Sequence, residues 1–170
     1  QKILEDLLVV YLTEGPPSNK KRHEYCKKYK LKESVLLGHI TNYIERDMII
    51  KEIVKLNINL DFELYGYGWD KDEELKTYDK GVLRYGTDIS KIYNSAKYTL
   101  VTGGYVLQQR ILECSASGSI PVVLDVRHID STYHNKFDNS MIFFQKPSEL
   151  LSLEKDKKNY NNKINLVLLN

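Results

Sequence analysis

The sequence predicts an α/β fold, a parallel sheet with helices packed on both faces. Three observations carry that expectation. From Ser34 onward, short apolar runs alternate with segments whose apolar residues recur at helical spacing, the pattern of successive βαβ units. Gly38, Gly66, Gly86 and the pair Gly103-Gly104 fall where the apolar runs end, which suits a rim of close backbone approach to a ligand. The length of 170 residues and the hydrophobic fraction of 42% suffice for one full core.

Bulk properties narrow the function. Lys+Arg 25 against Asp+Glu 23 leaves a net charge of +2, too balanced to imply nucleic acid. The two cysteines, Cys26 and Cys114, lie far apart and match no metal or redox spacing, so free thiols in a reducing, cytoplasmic setting are expected. No apolar run approaches the ~20 residues of a membrane span, and no signal peptide opens the chain. The chain starts at Gln1 with residues that already look helical, as a piece of a longer protein would.

Two domain-level parts are expected: a helical N-terminal segment over residues 1–33, and an α/β domain with a helical tail over 34–170. Residues 1–12 (QKILEDLLVVYL) suit a short helix, which Gly15, Pro16 and Pro17 break. Positions 20–32 hold seven Lys/Arg and one Glu. Two explanations stand for them: a patch from Lys20 to Lys32 for peripheral contact with an anionic membrane or nucleic acid, or a solvated helix face with Tyr25 and Tyr29 packed beneath.

SVLLG then predicts a buried strand ending at Gly38, and HITNYIERDMIIKEIVKL a helix whose Asn42 and Glu45 have capping-box spacing. Ile49, Ile53 and Leu56 form its seam. LDFELYG alternates as a strand, and GVLRYG is expected as another. Ile89, Ile92, Tyr93 and Ala96 mark a helix beginning near Asp88. YTLVTGG is a strand, QQRILECSASG a helix, IPVVLD a strand and MIFF the last strand. PSELLSLE is a helix begun by Pro147, and the tail KKNYNNKINLVLL is expected to be a closing helix.

Several motifs fail. GYGWDK imitates a dinucleotide fingerprint, but Lys71 stands where its third glycine belongs. No phosphate-binding loop and no G-x-S-x-G elbow occurs. The four histidines have no zinc spacing, and His39 alone falls in a predicted rim loop, as a catalyst or simply a hydrogen-bonding loop residue. No metal site is expected.

One charged pair needs explaining. The helix of QQRILECSASG must bury Ile111 and Cys114, yet it carries Arg110 and Glu113 one turn apart. Either they form a surface ion pair worth under ~1 kcal/mol, or they face a ligand. In order and spacing, LLGHITNYIERDMII, LYGYGW, DISKIYNSAKYTL, QQRILECSASGSIPVVLD and MIFFQKPSELL resemble the C-terminal half of a GT-B glycosyltransferase. The likeness spans roughly Ser34 to Leu153 and is nearest the spore-maturation (CgeB-type) and group 1 glycosyltransferases.

The resemblance implies a Rossmann-like domain that binds a nucleoside-diphosphate sugar as substrate, with no further cofactor. It implies that Glu113 holds the ribose hydroxyls, since a carboxylate accepts two vicinal O–H groups. Arg110 would face the diphosphate, with Gly103, Gly104, Gly38 and His39 beside the phosphates. Tyr85 and Gly86 would adjoin the base. Where many relatives carry another Glu, this chain has Tyr105, so contacts to the sugar are not carried over. The acceptor would be supplied by an N-terminal domain of a parent chain. A sugar-nucleotide epimerase of the same fold, and a non-catalytic module using the basic segment, are the competing functions.

Overall fold

A computed structural model describes residues 2–103, 107–130, 139–159 and 165–169 of the chain, with side chains described to Glu154 apart from positions 37 and 38. Helix α1 (Lys2–Thr13) and helix α2 (Asn19–Tyr29) come first, separated by the predicted Gly-Pro-Pro turn. Ser18 accepts from the backbone N–H of Lys21 and so caps α2, while Lys30 ends it in the left-handed conformation.

A continuous helical run over residues 33–55, α3, follows. Two of its turns, Leu36–Ile40 and Ile44–Met48, are widened to the π form. The expected strand ending at Gly38 is therefore corrected: Gly38 and His39 lie inside a helix, and His39 is exposed. The reason is local. Leu36, Ile40 and Ile44 keep a four-residue period straight through Gly38, and an interior glycine costs a helix only about 1 kcal/mol. The capping box goes with it, because Asn42 is mid-helix and Glu45 is buried.

Strands β1 (Asp61–Tyr65), β2 (Tyr98–Val101), β3 (Ile120–Leu124), β4 (Ile142–Phe144) and β5 (Asn165–Leu169) form one parallel sheet in the order β1-β5-β2-β3-β4. The tail is thus not a closing helix. Its apolar run Leu166–Leu169 is a strand seated between β1 and β2, as a strand buried in a parallel sheet reads without alternation. The expected strand at GVLRYG is also absent. Val82 is exposed, as is Tyr85, so the segment buries no continuous face. Only its start runs beside β1, where Lys80 donates to the Leu64 carbonyl (2.8 Å) and Gly66 to that of Gly81 (2.9 Å).

Helices α4 (Thr87–Ser95) and α5 (Gln109–Ala116) form in the segments expected to be helical. The predicted helix at Pro147 is a 3-10 run, Pro147–Asn159. Alternation along the strands sorts the core into two layers. Leu64, Leu100, Val122 and Leu124 pack with Leu7 of α1, Cys26 of α2 and Ile49, Ile50 and Ile53 of α3. On the opposite face Tyr65 packs with Tyr93 and Cys114, and Val101 and Val123 pack with Ile111. Helices therefore cover both faces, the architecture of a Rossmann-like half of a GT-B fold. Cys26 and Cys114 are free and buried, and burial pushes the Cys114 thiol up to about 11. No helix among the described residues is long and apolar enough to cross a membrane.

Candidate functional site

The carboxyl end of β2 leads through Thr102 and Gly103 toward α5, and an open cleft of ≈ 320 Å³ lies beside that helix. It is lined by Tyr85, Ile89 and Tyr93 from the α4 side and by Gln108, Gln109, Arg110 and Glu113 from the α5 side. Helix α5 begins at this cleft, and its N-terminus is not closed by a side-chain cap. Helix N-termini left open in this way present backbone N–H groups and positive dipole ends to an anion.

Glu113 is the cleft's acid and Arg110 its base. They do not pair. The Glu113 Oε1 instead accepts from the Tyr85 hydroxyl at 2.8 Å and from the Gln109 amide at 2.7 Å. The same amide nitrogen donates to the Tyr85 oxygen at 2.9 Å, closing a three-residue ring. The bond to Glu113 raises the Tyr85 phenol above its ordinary pKa, with the carboxylate's charge acting in the same direction. Burial raises the Tyr93 phenol, and the nearby Arg110 charge works against it.

Packing separates these groups from the core. Ile111 and Cys114 are the buried residues of α5, while Arg110 and Glu113 are half-buried at the cleft and Leu112 is exposed. Gly103, with φ +128°, sits under Gln108: a Cβ there would lie 3.3 Å from its Nε2. Gly86, with φ 100°, is the residue that starts α4, next to Tyr85. The structure therefore gathers Tyr85, Arg110 and Glu113 around one cleft, with Gly103 beneath the lining Gln108, while Gly86 lines a separate groove with Thr87 and Ser90. Gly38 and His39 are on α3 and do not line it. Gly104 and Tyr105 lie outside the described residues.

Sequence reasoning missed Gln108, Gln109, Ile89 and Tyr93 as lining residues. Gln109 was within reach, because it stands four residues before Glu113 on the same helix face. Among the described residues no group of three or more His, Cys, Asp or Glu could hold a metal.

In the basic segment Arg22 and Cys26 are buried, while Lys20, Lys27, Lys28, Lys30 and Lys32 are exposed. Lys21 pairs with Glu14 and Lys28 with Asp6, and Tyr25 and Tyr29 stack at 6.0 Å with the Lys28 ammonium over both rings. Arg22 turns inward, where its Nε donates to the Pro17 carbonyl at 3.1 Å.

The fold defines the class: a Rossmann-like half of a GT-B domain, a parallel sheet with helices on both faces. The family follows from comparison. The glycosyl transferase-like family model matches residues 46–158, well over half of the chain, and the chain belongs to that family. Transferase activity on a sugar donor is what that membership implies. No curated protein and no solved structure matches the chain.

Proposed function

We propose that the chain is the donor-binding domain of a glycosyltransferase, which holds a nucleoside-diphosphate sugar while its sugar passes to an acceptor. The observation that carries this reading is the placement of Arg110 and Glu113 side by side in one cleft without an ion pair between them. An Arg–Glu surface pair would have left no reason for either to face a ligand.

The roles follow from charge and geometry. Glu113 takes the ribose hydroxyls, and its Oε2 is the oxygen not already engaged by Tyr85 and Gln109. Arg110 neutralises the diphosphate, whose charge grows as the sugar–phosphate bond breaks. The open N-terminus of α5, reached through Gly103, faces the same oxygens. Tyr85 borders the base. The acceptor comes from a separate domain, so this chain alone binds donor without turnover, because half a cleft leaves the acceptor unoriented.

Calorimetric titration of UDP, GDP and ADP tests the assignment. Glu113→Gln and Glu113→Ala are expected to weaken binding about ten- to a hundredfold, the loss of ~1.5–3 kcal/mol of charge-assisted hydrogen bonding. Arg110→Ala is expected to weaken the diphosphates more than the bare nucleosides. If none of the three nucleotides binds the wild type at millimolar concentration, the donor-site assignment is wrong.

A further inference from the structure

We infer that Gln109 and Tyr85 are positioning residues that fix the Glu113 carboxylate for an intact ribose diol, and so set the site's selection against deoxyribose ligands. The inference rests on the donor-site reading above and adds a determinant of specificity to it. Its basis is the closed ring of hydrogen bonds. The Gln109 amide nitrogen is in donating range of both the Tyr85 oxygen, at 2.9 Å, and the Glu113 Oε1, at 2.7 Å. The Tyr85 hydroxyl has one proton, which goes to the same Oε1 at 2.8 Å.

Tyr85 accepts from Gln109 and donates to Glu113, so those two bonds run head to tail and reinforce one another, while the direct Gln109–Glu113 contact closes the triangle. The consequence is directional. With two donors on Oε1, the plane of the carboxylate is set and Oε2 is held as the acceptor for incoming hydroxyls. A free glutamate on an exposed helix face would lose side-chain freedom on binding, whereas this one has already lost it.

The ring is also accessible. Tyr85 is 76% exposed, so the contact is not an element of the core. Neither Gln109 nor Tyr85 belongs to the buried clusters that hold the sheet and helices together. Gln109→Leu and Tyr85→Phe are accordingly expected to leave the melting temperature unchanged.

The experiment uses the full chain and whichever of UDP, GDP and ADP binds it best, together with the 2′,3′-dideoxy form of the same nucleotide. Gln109→Leu and Tyr85→Phe should each weaken the ribonucleotide about three- to tenfold and leave the dideoxy form unaffected, since their influence passes through Glu113 to the diol. A merely structural role would not show the diol dependence.

The outcomes separate the two levels. If no nucleotide binds the wild type, or Glu113→Ala has no effect, both the donor site and this inference fall. If Glu113→Ala weakens the ribonucleotide but Gln109→Leu and Tyr85→Phe do not, or if they weaken ribose and dideoxy forms equally, only this inference is overturned.

Discussion

Glu45 shows how much one side chain can ask of a small protein. It is 1% exposed, and its Oε1 accepts from the Tyr11 hydroxyl at 2.5 Å and faces the Arg22 guanidinium at 3.8 Å. Its Oε2 has no partner among the described residues. Burial raises the carboxyl above its ordinary value of 4.5, although the Tyr11 bond and the Arg22 charge pull the other way. The sign of the pH effect follows. An acid whose folded pKa is raised holds its proton more tightly when folded, so this group's contribution is most favourable at low pH. That advantage is lost as pH rises from 4.5 through the folded value. The stability of wild type relative to Glu45→Gln should therefore fall as pH rises, read by urea unfolding across the acidic to neutral range. A difference independent of pH would show that Glu45 does not titrate differently on folding. Arg22→Met should destabilise by roughly 3 kcal/mol near neutral pH, because it leaves a buried carboxylate without its cation.

At the scale of elements, the glycines that lead into helices are not equivalent. Gly15, in the α1–α2 turn, has φ +86°, and a Cβ there would come within 2.9 Å of the Gln145 Cβ, just beyond β4. Gly86, before α4, has φ +100° with nothing within 4 Å. An alanine at Gly86 meets backbone strain alone, expected to cost about 1–2 kcal/mol. At Gly15 it meets the same strain and a steric clash, so Gly15→Ala should lower the melting temperature more than Gly86→Ala. Equal losses would mean that the turn yields freely against β4. The long helix is tied down differently. Lys51 on α3 pairs with Asp72 at 2.6 Å, and this bond holds the Asp72 carboxyl below its usual range.

For the molecule as a whole, the last described strand decides whether there is one sheet or two. β5 hydrogen-bonds to β1 on one side and β2 on the other, and among the described strands no other joins them. A chain ending at residue 160 should lose cooperative unfolding, because β1 and β2 would each present an unpaired parallel edge in the centre of the sheet. A sharp, wild-type-like transition in circular dichroism would contradict that placement.

By itself the sequence determined the α/β class, the strands at LDFELY, YTLV, IPVVL and IFF, and the Arg110–Glu113 helix, because all rest on local periodicity and spacing. Short apolar runs near a glycine or in an Asn-rich tail carry no such signal. SVLLG proved helical because α3 propagates through Gly38, and the tail proved to be a strand because a gap between β1 and β2 accepts it. Only the tertiary structure decided that Gly38 and His39 stand apart from the cleft, and that Tyr85 and Gln109, from different segments, meet on one oxygen of Glu113. The physical reason is range: periodicity reports which face a residue takes on its own element, whereas a site is made where elements distant in sequence are packed together.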